Sequence, residues 1–178
     1  GVGKRAPWGL EYADVVYEEL LMSIGSTRYA ALFSDCFAQN QPALGVGPVR
    51  SARYGALLLR EEWQSGLVYG GGFHNSFGVT DDTSNRFLAQ TGVQDRGVLF
   101  HTASAAYRPM CNRVMGKKAP DNLNADILQM RQSVANTASA TPHPFLFSQT
   151  AYADSAYAQA GVIHLDWGLS DTISHFVY

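Results

Sequence analysis

Two arginines, Arg50 and Arg53, stand three residues apart in the stretch GVGPVRSARYG. A planar guanidinium fork is the side chain best matched to the oxygens of a carboxylate or phosphate. Pro48, just ahead of them, suits the first turn of a helix, because its φ is preset and its missing N–H has no partner there anyway. The pattern therefore predicts a helix beginning near Pro48. The free N–H groups of Val49, Arg50 and Ser51 would lie at the positive end of its dipole, and Arg50 and Arg53, one turn apart, would face the glycines at 70–72. Thr27 and Arg28 would bring a third guanidinium to the same place. The competing reading is internal: the arginines pair with Asp14, Glu18 or Glu19 and staple helix to strand.

Two further stretches carry polar groups. Gly70, Gly71 and Gly72 let backbone approach a ligand closely or adopt φ > 0, although they match neither the dinucleotide-binding nor the phosphate-loop pattern. His74 follows, a candidate general base for Ser51, or simply a surface-loop histidine; no GxSxG elbow and no orienting carboxylate accompanies the pair. In RVMGKKAPDNLNAD (113–126) the plain reading is a turn with a helix cap supplied by Asp121 or Asn122. The functional reading has Arg113 and Lys118 reaching toward Arg50. Cys36 and Cys111 are far apart and outside any CxxC or His-rich context, so buried thiols, one long-range disulfide and a metal site all remain open.

The elements that must position these groups follow from periodicity. Residues 13–22 and 26–34 are rich in β-branched and aromatic types and read as a strand pair around a glycine-containing turn. Val49, Ala52, Ala56, Leu59 and Trp63 form one apolar helical face. Strands are expected at 66–73 and 97–103, a short helix at 82–92, a capped helix over 121–135, and two strands at 161–168 and 172–178. The linker 136–144 interrupts the pattern. These alternations predict an α/β domain, with α+β as the variant: a mixed sheet flanked by helices over 1–144, with the two last strands beyond it.

Composition excludes several function classes. With 13 basic against 15 acidic residues and a net charge of −2, the chain lacks the basic excess that phosphate neutralisation on a nucleic acid requires. No apolar run approaches the ~18–20 residues that span a bilayer. No cofactor or metal is expected.

The run ADVVYEELL…GSTRYAALF, then VGPVRSARYG, then GLVYGGG, then KKAPDNL, in this order, resembles the N-terminal domain of the YerB family of bacterial lipoprotein-like proteins, a family of unknown function. The resemblance covers about residues 7–130, and Thr27, Arg28, Gly47, Arg50, Ser51, Arg53, Pro120 and Asn122 match its pattern. Where relatives carry a histidine before the glycines and another in a Pro-His-Asn-Leu motif, this chain has Tyr69 and Asp121. The resemblance implies an extracytoplasmic domain, membrane-anchored in the full-length protein through a segment outside this sequence, and a smaller β-rich second domain of which residues 145–178 are the start. The expected activity is capture of an anionic ligand or partner in the cell envelope by Thr27, Arg28, Gly47, Arg50, Ser51, Arg53, Gly71, Gly72, His74, Arg113, Lys118 and Asn122. The alternatives are an envelope hydrolase or transferase acting on a phosphate-bearing or peptidoglycan-derived substrate, and a structural interaction domain.

Overall fold

The computed structural model describes residues 6–21, 26–33, 45–71 and 99–133, together with the backbone of two later strands at 162–166 and 173–177. Helices alternate with both parallel and antiparallel strand pairs, an α/β fold in which the described strands form separate short ladders.

The strand pair expected near the N-terminus is present. Strand β1 (Val15–Leu21) pairs antiparallel with β2 (Ser26–Leu32), so that Glu19 stands directly opposite Arg28 and Tyr17 opposite Ala30. β-branched and aromatic side chains on a pleated, half-buried surface favour this element. A two-residue strand β3 (Gly45–Val46) joins an antiparallel ladder with β7 (Leu123–Asp126), whose other edge is β6 (Cys111–Arg113). Strands β4 (Leu67–Tyr69) and β5 (Leu99–His101) run parallel and pair Tyr69 with His101. The C-terminal strands β8 (Val162–Asp166) and β9 (Ile173–Val177) form an antiparallel pair where two strands were expected. The expected helix at 82–92 lies outside the described residues.

Two helices differ from expectation in where they start. Helix α1 spans Tyr54–Trp63, with Arg53 extended at its N-cap (φ −117°, ψ 163°), so it begins six residues after Pro48. The physical reason is tertiary. Val49 N–H donates to Leu123 O at 2.8 Å and Gly70 N–H to Arg50 O at 2.9 Å, so residues 49 and 50 spend their backbone groups on β7 and the glycine loop instead of on a helical turn. Helix α2 (Ile127–Gln132) is capped by Asp126, whose carboxylate accepts from Leu128 N and Gln129 N at 3.1 Å each. Asp121 and Asn122, expected as that cap, lie in the turn before β7.

The core gathers where these elements meet. Leu57 of α1 is fully buried, and Phe100, Ala125 and Met130 form a cluster packed against Val49, Val68, Tyr107, Met110 and Cys111. The Phe100 and Tyr107 rings meet at 5.0 Å with a tilt of 55°, a favourable aromatic geometry. Trp63 Nε1 donates to Tyr17 Oη at 2.9 Å and ties α1 to β1.

Gly47 explains a matched position without any ligand. Trp8 and Gly47 exchange backbone hydrogen bonds of 2.8 and 3.1 Å, and the Trp8 ring closes on the glycine. A Cβ there would sit 2.6 Å from both Trp8 Cε2 and the Leu123 carbonyl oxygen, so the position is set by close packing. Gly47→Ala is expected to destabilise the fold by about 1–3 kcal/mol through overpacking. Urea unfolding with an unchanged m-value checks this, and a loss under a few tenths of a kcal/mol would show that Trp8 moves aside freely.

Candidate functional site

The segment 49–53 is the hub. Held extended by its bonds to Leu123 and Gly70, it passes between β7 and the carboxyl end of the parallel pair β4/β5, then turns into α1. This arrangement brings the arginine stretch, the first glycines and the turn before β7 to one place through backbone hydrogen bonds and not through a helix start.

Arg50 and Arg53 therefore diverge. The Arg50 guanidinium forms an ion pair with Asp121, and the two side chains retain 28% and 21% of their exposure. The partner comes from the turn before β7 and not from Asp14, Glu18 or Glu19. Next to it, Asn122 is buried and accepts from Arg113 Nη1 at 2.6 Å while its own amide donates to Lys117 O at 3.0 Å. Arg113 and Asn122 thus brace the turn that presents Asp121. Lys118 is exposed, and its backbone carbonyl accepts from Asp121 N–H at 2.9 Å.

Arg53 is buried, with 7% of its surface exposed. Its Nη1 reaches only the adjacent Ala52 carbonyl at 3.4 Å, and its Nε is buried with no hydrogen-bond partner. Burial pulls this guanidinium below its ordinary range; Glu19 opposes that shift and Arg50 adds to it, which places both within electrostatic reach. The Glu19 carboxyl is raised above its ordinary value by burial, partly offset by Arg53 and then by Arg28. Its carboxylate lies over the first turn of α1, where a Cβ on Gly55 would meet Glu19 Oε1 at 3.0 Å. The side chain that faces the positive end of the helix is thus the chain's own Glu19. Arg28 stands across the strand pair from Glu19, and Thr27 lies beside it with its carbonyl 3.5 Å from Arg28 Nη1.

At the carboxyl end of β4/β5, Gly70 is enclosed by Leu123, Thr102 and the Val49 carbonyl. Gly71 adopts φ +90°, and a Cβ there would fall 2.6 Å from Ser51 Oγ. The left-handed φ calls for glycine at 71, and Ser51 backs the loop there. The His101 imidazole stacks on the Tyr69 ring at 4.9 Å with 11° between planes, and its Nε2 is buried without a hydrogen-bond partner. Gly72 and His74 lie outside the described residues. Cys36 does too, while Cys111 carries a free thiol that lies 3.3 Å from Tyr107 O and that burial pushes up, leaving it protonated and poorly nucleophilic at neutral pH.

Sequence reasoning missed the role of Asp121, the choice of Glu19 among three candidate acids, and His101. Asp121 and His101 are single residues whose partners lie 71 and 32 positions away, at Arg50 and Tyr69, and no local spacing announces such pairings. Glu19 had a local signal: on an alternating strand it shares a face with Tyr17, the residue that meets α1.

Residues 2–142 match the family described as "protein of unknown function (DUF3048), N-terminal domain". Among solved structures, the chain is similar to the crystal structure of the YerB protein from Bacillus subtilis, with 24% identity and a TM-score of 0.52 over 74% of this chain. The chain spans 39% of the length of that protein, and the likeness is one of fold. No curated protein matches.

Two measurements follow from this geometry. The Arg50–Asp121 pair is about a quarter exposed, so a double-mutant cycle with Arg50→Gln and Asp121→Asn is expected to give a coupling of about 0.2–1 kcal/mol; ~3 kcal/mol would mean a fully desolvated staple. Glu19 has a folded-state pKa above its ordinary 4.5, so the folded protein holds that proton more tightly than the unfolded chain. Its contribution is therefore fully present below pH 4.5 and is lost as pH rises through the raised value. Thermal unfolding from acid to neutral pH is expected to show the wild type losing stability relative to Glu19→Gln across that window. Parallel curves would show that the carboxyl is not desolvated.

Proposed function

The chain belongs to the DUF3048 N-terminal domain family, whose function is unknown, and on that premise we propose that it is an extracytoplasmic binding domain for an anionic ligand or partner of the cell envelope. The observation that carries this reading is Arg53. An arginine that is 7% exposed as a whole residue, with a buried Nε that hydrogen-bonds to nothing, has given up water there without a full replacement. Its nearest electrostatic neighbours are the Glu19 carboxylate and a second guanidinium, Arg50, which is itself committed to Asp121. Arg28 shares the Glu19 carboxylate. Arg53 is thus a largely buried cation whose Nε is unpartnered, and a phosphate or carboxylate group would complete its hydrogen bonding.

The internal pairing of Arg50 with Asp121 and the seat of Glu19 at the start of α1 favour a second reading, in which the cluster staples α1 to β1/β2 and to the turn before β7 as a structural interaction domain. The two readings differ in what an added anion does. An envelope hydrolase or transferase draws no support from Ser51, which backs Gly71.

Thermal unfolding in phosphate, against sodium chloride of matched ionic strength, separates the readings. For a millimolar Kd, about 10 mM phosphate should stabilise by ~1.4 kcal/mol and raise the midpoint by roughly 3–6 °C. Arg53→Gln and the half-exposed Arg28→Gln should both abolish that rise. An unshifted wild type, together with early unfolding of Arg53→Gln, would establish the structural reading instead.

A further inference from the structure

The turn between β6 and β7 gives Asp121 to Arg50, but its apex stands outside the arginine cluster. It is closed at its base by Val114 N–H to Asn122 O and Asp121 N–H to Lys118 O, both 2.9 Å, and at its apex Gly116 takes φ +79°. There Met115 is 95% exposed, the most exposed large apolar side chain among the described residues. Between Asn112 and Pro120 the chain carries Arg113, Lys117 and Lys118 and no acid. Arg113 and Lys118 are exposed, and Lys117 lies 4.9 Å over the Trp8 ring with its ammonium 3.5 Å from Ala6 O. The first acid beyond the turn, Asp121, is spent on Arg50.

An unbranched apolar side chain at the summit of a braced turn that also carries three cations, Arg113 keeping Nη1 on Asn122, has the chemistry of a bilayer-surface contact: the apex enters the headgroup boundary and the exposed cations meet lipid phosphates. The net charge of −2 matters here, because the chain as a whole is repelled by an anionic surface and attraction must come from a local patch. We infer that the 113–118 turn docks on an anionic lipid bilayer, with Met115 inserted and Arg113 and Lys118 on the headgroups. Nothing in this surface depends on Arg28 or Arg53, so it stands independently of the anion site.

Co-sedimentation of the chain with vesicles tests it, using phosphatidylcholine alone and phosphatidylcholine mixed with phosphatidylglycerol. Binding is expected only with the anionic lipid, and it should fade at high salt as the Debye length shrinks to about 3 Å near 1 M. Reversing one cation, Lys118→Glu, should weaken partitioning at least about fivefold, and Met115→Ser should weaken it without changing the charge. Both positions are exposed, so unfolding midpoints should stay within error of the wild type. The inference is overturned if the anionic vesicles bind nothing at low salt. It is overturned equally if Met115→Ser binds as well as wild type, which reduces the turn to a nonspecific cation patch. A Met115→Ser effect confined to self-association would assign the apex to a second copy of the chain and sink the membrane reading.

Discussion

Everything placed at the site depends on two backbone hydrogen bonds, Val49 N–H to Leu123 O and Gly70 N–H to Arg50 O. They hold residues 49–53 extended against β7 on one side and the glycine loop on the other. From that constraint follow the late start of α1, the separation of Arg50 from Arg53, and the meeting of Arg50 with Asp121. The enclosure of Gly71 has the same origin, since Ser51 Oγ occupies the space where a side chain would go. A local preference for helix, real in the Ala/Leu/Trp periodicity, yields at its N-terminal end to tertiary bonds that each satisfy a backbone group inside the fold.

How much of this was legible in the sequence varies with the range of the interaction. The β1/β2 pair, the parallel strands β4 and β5, and the body of α1 follow from alternation and 3.6-residue periodicity, which are properties of neighbouring residues. Helix α2 was legible as a helix, but its cap was expected at Asp121 or Asn122, and the carboxylate that closes it is Asp126. The four residues of β7, Leu123–Asp126, pair with β3 and β6, and a two-residue partner such as β3 leaves almost no pattern to read. At the site the arginines were visible by type and their counter-ions were not. Arg50 could have met any of several acids; the fold chose one 71 residues distant.

The arginine cluster is also asymmetric in a way that composition conceals. Arg50 is satisfied by a full ion pair at the surface, whereas Arg53, deeper, shares Glu19 with Arg28 at longer range and leaves Nε bare. Buried charge with incomplete compensation costs stability, and proteins commonly retain it where a ligand or partner completes the set. Glu19 in turn faces the start of α1, so the carboxylate nearest Arg53 also interacts with the helix dipole.

The ladder of β3 on β7 carries a consequence for how the chain acquires its shape. The β1/β2 pair is local in sequence and can close as soon as residue 32 is available. Gly45 and Val46, by contrast, have their partners at Asp126 and Ala125, and Val49 waits for Leu123. During synthesis at ~5–20 residues per second, several seconds pass in which the arginine stretch has emerged and its scaffold has not. Contacts of such separation also slow the search for the native pairing, because loop closure must precede any reward from it. The arginine cluster is therefore among the last parts to be assembled, after the strands on which Arg28 and Glu19 stand are already in register.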